Sequence, residues 1–228
     1  MTVFYGDLSS LTNGNKMFDH CLDLEVIGAE VEVPISLKKL THAEQMFRYS
    51  YLKKFVVEDN TMPALTYSYE MFADCHHLSS FNVNMPSLTN GGNMFYGCEK
   101  LTSFSSDLSS LNDGPYMFYN CTQLTSFSSD LSSLTNGNHM FYNCRLDYTS
   151  FRNIIDSLPQ YSGGTHTIHI TVQYSPDVVE GFSTDSIFAG ETRILIPKVH
   201  SSSYETTYKG WRIVLSASEQ FIFDVNVD

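Results

Sequence analysis

The chain has 228 residues, of which 42% are apolar and 14% aromatic, so it can bury a sizeable core in one or two domains. Its net charge is −12 and its 13 basic residues form no cluster, which argues against nucleic acid and anionic membranes as partners. No run of about 18 apolar residues exists, so we expect no membrane insertion. No signal peptide is visible in the opening residues, which predicts either a cytosolic protein or part of a longer exported chain.

A repeat runs through the first two thirds of the sequence. The pair Met-Phe occurs six times in register; the first two intervals are 29 and 25 residues and the last three are 23 each. Counted from each Met as position 0, Leu stands at −6 in all six copies and Cys at +4 in five. We number these copies repeats 1 to 6 and count the residues before each Met, at negative positions, with the same repeat; the Met residues are Met17, Met46, Met71, Met94, Met117 and Met140. One such unit cannot bury its own apolar face, so the pattern predicts a solenoid of stacked units.

Each unit contains signals for a turn, a helical turn and a strand. Pairs such as Asn90-Gly91 supply a turn that tolerates positive φ. The residues at 0, +1, +4 and +7 then share one face of a short helical turn, and the Leu-Thr-Ser-Phe segment that follows predicts a short strand. The predicted core column consists of the residues at +1 and +4: Phe18, Phe47, Phe72, Phe95, Phe118, Phe141, Cys21, Cys75, Cys98, Cys121 and Cys144.

Different elements follow the last repeat. The spacing from Phe151 to Leu158 predicts an amphipathic helix that ends before Pro159. Beyond it the sequence predicts strands at 166–172, 193–197 and 211–216, a short helix over 201–210, and a strand in the alternating tail 221–227. A terminal repeat needs a cover for its apolar cross-section. We therefore predict a solenoid in residues 1–158 and an α+β cap in residues 159–228, with Trp211 in the core of the cap.

The repeat resembles a known family. Its pattern M-F-x2-C-x2-L-x2-F is similar to the A-F-x2-C-x2-L-x2-V core of BspA-like (treponemal-type) leucine-rich repeats, and the stretch Val31 to Leu40 is closer still to that family's V-x-I-P segment. The residues from 193 to 211 resemble the terminal segment of many such proteins. The resemblance implies a curved, right-handed α/β repeat solenoid of a bacterial surface or secreted protein that serves in adhesion and protein contact.

Three groups of polar residues have simple structural interpretations. The cysteines, one per unit, favour small core residues over disulfides or a metal site, because no CxxC or CxxH pair exists. The histidines lack a metal-binding spacing and are expected at the surface. Asp7, Asp107 and Asp130 share one position, where side-chain capping of the following turn is a simpler explanation than a calcium site.

Position +2 offers the most interesting side chains. It holds Tyr96, Tyr119 and Tyr142 in consecutive copies, so an exposed tyrosine ladder could bind protein or carbohydrate. The alternative is that stacked tyrosines only shield the turns. A second candidate surface consists of the hydroxyl residues at +8 and +9: Thr102, Ser103, Thr125 and Ser126.

These observations favour a non-enzymatic binding module. No nucleophile elbow, phosphate loop or Cys–His arrangement is present, and no cofactor is implied. We expect a monomer that binds a protein through one solenoid face. Two alternatives stay open: glycan binding by the tyrosines, and a structural spacer such as a stalk or phage-fibre segment. The spacer is favoured by SSDLSSL, which occurs at both 105–111 and 128–134.

Overall fold

The computed structural model describes residues 2–28, 34–161, 166–172, 204–209 and 211–217. The predicted strand at 193–197, the tail strand at 221–227 and part of the Val31 to Leu40 stretch lie outside these residues. Within them the elements are β1 (Thr2–Phe4), β2 (Leu24–Ile27), β3 (Lys54–Phe55), β4 (Ser103–Phe104), β5 (Ser126–Phe127), β6 (Gly137–Leu146), α1 (Tyr148–Ser157), β7 (His166–Val172), β8 (Tyr204–Tyr208) and β9 (Trp211–Ala217).

The repeats stack as a solenoid joined by parallel backbone pairing. Strands β1, β2 and β3 form one parallel sheet and β4 and β5 another, in which Ser103 pairs with Ser126. Single-residue bridges at position −4 continue from repeat to repeat, as between Asn90 and Asp113. Each repeat therefore adds one rung to the stack, and the predicted repeat solenoid is confirmed for these residues.

The Met-Phe segment is not the helical turn that its spacing predicts. In all six repeats the residues at −1 and +3 adopt left-handed φ, for example Tyr116 at 56° and Asn120 at 60°. In repeats 1 to 5 the N–H groups at 0, +2 and +4 donate to carbonyls three residues earlier, whereas those between them donate to the next repeat. Alternate N–H groups are thus committed to the neighbouring repeat, so a helical ladder cannot form.

Gly97 shows how tightly this backbone is constrained. It occupies position +3 with φ of 68°, and a Cβ there would lie 2.5 Å from Oδ1 of Asp74 in the preceding repeat. Glycine meets both requirements because it accepts a left-handed conformation and has no Cβ.

The core is an aromatic stack with a thiol column beside it. Phe47, Phe72, Phe95, Phe118 and Phe141 are fully buried, and consecutive rings stack at 5.3–5.5 Å. The Cys98 thiol donates to the carbonyl oxygen of Phe72, the phenylalanine of the preceding repeat, at 3.2 Å. Each of the other buried cysteines donates in the same way to the phenylalanine carbonyl of its own preceding repeat. Burial raises the pKa of the Cys75 thiol to about 12. All five cysteines are free, so the column has a packing role.

The C-terminal region joins the solenoid through one mixed sheet in the order β6-β7-β9-β8. The predicted helix and the strands at 166–172 and 211–216 are confirmed as α1, β7 and β9. The predicted helix over 201–210 is wrong, because Tyr204–Tyr208 forms strand β8 antiparallel to β9. Its two tyrosines and two β-branched threonines are residue types that favour a strand. The described residues contain no helix that is long and apolar enough to cross a membrane.

Candidate recognition surface

The three predicted tyrosines stack on one another along the solenoid. The ring centroids of Tyr96 and Tyr119 lie 5.1 Å apart with planes at 3°, and those of Tyr119 and Tyr142 lie 5.1 Å apart at 14°. Tyr142 is 37% exposed, and the other two are partly buried. Burial raises the pKa of Tyr119, so its phenol stays protonated at neutral pH. We call these three residues the tyrosine column.

A second aromatic column, which the sequence analysis missed, runs beside the first. Tyr116 stacks on His139 at 5.0 Å, and His139 stacks on His169 of β7 at 4.3 Å. The two columns touch where Tyr116 meets Tyr119 at 5.7 Å and where His139 meets Tyr142 at 5.9 Å. His139 lies at the surface, as the sequence predicts for the histidines, but stacking buries its ring in part. The sequence signal that could have predicted this column is position −1, which holds the aromatic residues Tyr116 and His139 in repeats 5 and 6.

Together the six rings form what we call the aromatic surface. Because the rings stack face to face within each column, their faces are largely occupied, and the tyrosine edges and hydroxyls are the parts that a partner could contact. Sugars usually pack on open aromatic faces, whereas tyrosine edges and hydroxyls suit the mixed apolar and polar contacts of a protein interface. This geometry favours a protein over a glycan as the partner.

The same two columns carry charges in the first three repeats. Arg48 donates from Nε and Nη2 to both carboxylate oxygens of Asp19 at 3.1 Å, and from Nη1 to Oε2 of Glu70 at 3.0 Å. Gln45 also donates to Glu70, at 2.7 Å. One guanidinium thus joins three repeats, and its bonds are made within the chain. The charged half therefore serves stacking, and the aromatic half remains the candidate site.

Replacing Arg48 by methionine should lower the free energy of unfolding by roughly 1–2 kcal/mol at pH 7, because two partly buried carboxylates lose their partner. The hydrogen bond from Arg48 lowers the pKa of Asp19 below its usual 3.8. Because the pKa of Asp19 is lower in the native state than in the unfolded chain, its ionised carboxylate stabilises the fold at pH values above the usual pKa. This stabilisation is lost as the pH falls through the native pKa.

Urea unfolding of the Arg48→Met variant and the original chain at pH 7 and pH 3 should therefore show a smaller difference at pH 3. The Lys53→Met variant provides a more exposed control, since the Lys53 side chain is 51% exposed where it pairs with Glu25. A pH-independent loss would contradict the assigned role of Asp19.

The other predicted site residues lie elsewhere. Thr102, Ser103, Thr125 and Ser126 are exposed, and they lie in strands β4 and β5 or directly before them. The Thr125 hydroxyl donates to the Thr102 carbonyl oxygen at 3.3 Å, so it is used between repeats. This regular bonding reduces the number of free hydroxyl donors on the strand face.

The aspartate column caps turns, as the sequence predicts. Asp7, Asp107 and Asp130 accept hydrogen bonds at 2.8–2.9 Å from the N–H groups two residues later. Within the part of the chain that the structure describes, no group of three or more His, Cys, Asp or Glu side chains could hold a metal ion.

Comparison with known proteins agrees with the stacked geometry. A family model described as "BspA type Leucine rich repeat region" matches six copies over residues 41–163. Neither the curated proteins nor the solved structures give a match. Because the family model covers more than half of the sequence, the chain belongs to the BspA-type leucine-rich-repeat family.

Proposed function

We propose that the chain is a non-enzymatic recognition module that binds a protein partner through the aromatic surface. One observation carries this proposal: six aromatic side chains from consecutive rungs form a continuous, partly exposed surface. Tyrosine is enriched at protein interfaces because a rigid ring provides large contact area at low entropic cost. The family is one of protein-binding and adhesion modules in general, which supports a role at a bacterial surface or in a secreted adhesin.

The spacer is a second candidate function, and it has its own support. Repeats 5 and 6 share the SSDLSSL segment, and their threonine hydroxyls bond from rung to rung. A stalk needs only such internal bonds. It does not need the aromatic surface.

Changing Tyr96, Tyr119 and Tyr142 together to serine should weaken binding to the partner at least about 30-fold, because interface tyrosines contribute roughly 2 kcal/mol or more. The chain would be screened against a panel of extracellular-matrix proteins and a glycan array, and the strongest binder retested by surface plasmon resonance. The matched control changes three other exposed tyrosines, Tyr5, Tyr49 and Tyr51, to serine.

Loss of protein binding in the first variant alone would support the proposal. Equal affinities for both variants and the original chain would reject the aromatic surface. Binding to glycans alone would replace the protein partner by a sugar, and binding to neither panel would favour the spacer.

A further inference from the structure

Two stacked histidines lie in the aromatic surface where the solenoid meets the C-terminal sheet. His139 belongs to β6 and His169 to β7, and their ring centroids lie 4.3 Å apart with planes at 22°. Both side chains are partly buried. Two imidazolium rings at this separation repel each other, so a first proton on the pair makes the second one harder to add. The two histidines therefore respond to pH as one unit.

The surroundings of His139 tolerate one positive charge on the pair and disfavour two. Tyr116 stacks on His139 at 5.0 Å, and an aromatic face attracts a single cation. The Nδ1 atom of His139, however, is buried and has no hydrogen-bond partner among the described residues. An imidazolium carries a proton on both ring nitrogens, so charging His139 leaves a buried donor without an acceptor.

Neighbouring charges do not compensate a second proton. The charged residues of the four-stranded sheet and of α1, which also packs against β7, are Arg145 of β6, Arg212 of β9, Glu205 of β8, and Arg152 and Asp156 of α1. Arg152 and Asp156 pair with each other at 3.2 Å. In repeat 5, Asp113 lies opposite Asn136, and both of its carboxylate oxygens accept from asparagine amides. The sheet itself thus carries two arginines against one carboxylate.

The histidine pair lies where the backbone pairing between β6 and β7 is interrupted. Gly137 pairs with Ile168 and Phe141 with Ile170, and the register shifts between these two pairs. His139 and His169 stand between them in their strands, so their stack joins the strands across the interruption. Repulsion between the rings would act at this point and separate β7 from repeat 6 locally.

We propose that pH switches the aromatic surface through this histidine pair. Above the ordinary histidine pKa of about 6.5 the uncharged rings stay stacked and complete the second aromatic column. In mildly acidic solution the pair separates, which disturbs the contacts of His139 with Tyr116 and Tyr142. The separated histidines bind one proton more than the stacked pair, so each further pH unit favours separation by up to about tenfold. Weaker binding of the partner in acid rests on the function proposed above, whereas the separation itself does not.

Hydrogen exchange of the backbone amides reports the separation without any partner. Between pH 7 and about pH 5, after correction for the intrinsic effect of pH on exchange, residues 137–146 and 166–172 should lose protection while the central repeats keep theirs. The His169→Phe variant keeps a stacked ring and cannot hold a second charge, so this loss should disappear. The His139→Phe variant should behave in the same way and provides the test if the first variant does not fold.

His42→Phe is the matched control, because His42 is exposed and lies beside an aromatic ring elsewhere, with its centroid 6.0 Å from that of Tyr67. This variant should lose protection in acid as the original chain does. Unchanged protection of residues 166–172 in the original chain at about pH 5 would overturn the proposal. So would an equal loss of protection in the two phenylalanine variants of the pair.

Binding provides the second measurement. A protein partner found in the screen described above should bind the original chain about tenfold more weakly at pH 5 than at pH 7, whereas the affinity of the His169→Phe variant should be the same at both pH values. Equal weakening of both chains in acid would overturn control of the surface by the histidine pair. A screen without any partner would reject the proposed function alone, because hydrogen exchange still decides whether the pair separates.

Discussion

Replacing Phe118 by alanine should lower the free energy of unfolding by about 3–5 kcal/mol, the usual cost of removing a fully buried phenylalanine. Its ring stacks between Phe95 at 5.4 Å and Phe141 at 5.5 Å, and it meets Phe104 and Phe127 edge-on at 4.8 and 5.7 Å. A cavity here removes contacts with the repeats on both sides. The local backbone cannot close it, because its N–H groups are committed to the next rung.

Phe18→Ala is the matched control at the same repeat position. Phe18 is only partly buried and, among the described residues, stacks face to face on one repeat phenylalanine, Phe47, instead of two, so its loss should be distinctly smaller. Urea unfolding followed by circular dichroism would give both free energies. Equal losses would contradict the conclusion that stability comes mainly from contacts between successive phenylalanines.

The inward residues could be predicted from the sequence because they are the ones that do not vary. Phe95 and Cys98 recur at fixed spacing, and burial in a stack is the simplest cause of such recurrence. The strand ending at Phe104 and helix α1 followed from equally local signals. In each case the property is set within one repeat.

Features that depend on neighbouring repeats could not be predicted in this way. Spacing at 0, +1, +4 and +7 suits a helical turn as well as it suits two successive turns with left-handed residues. The choice depends on the next rung, which accepts the alternate N–H groups. The stack of Tyr116 on His139 and the bridge from Arg48 to Asp19 also join residues whose contact depends on the stacking register.

Trp211→Ala should also cost about 3–5 kcal/mol of unfolding free energy, because the indole is fully buried. Its ring contacts Tyr161 at 5.7 Å and His166 at 5.4 Å, and its Nε1 donates to the Pro159 carbonyl at 3.1 Å. Trp211→Phe keeps much of the apolar burial and loses this hydrogen bond, so its expected cost is roughly 1–2 kcal/mol.

The same variant tests whether the C-terminal region caps the solenoid. Tyr161 donates its hydroxyl to the Leu134 carbonyl at 2.8 Å, and His166 contacts the Thr135 carbonyl at 2.7 Å, so the Trp211 cluster is attached to repeat 6. If this cluster covers repeat 6, the Trp211→Ala substitution should allow repeat 6 to unfold locally before the central repeats do.

The buried thiols report such an opening. Burial raises the pKa of both Cys98 and Cys144, so both are unreactive while their repeats stay closed. In the Trp211→Ala variant, labelling with a thiol reagent under native conditions should modify Cys144 well before Cys98, as read by peptide mass spectrometry. The Trp211→Phe variant should show much less of this preference. Equal protection of the two thiols in the alanine variant would show that repeat 6 stays closed without the Trp211 cluster. Residues 159–228 would then not act as the cap of the stack.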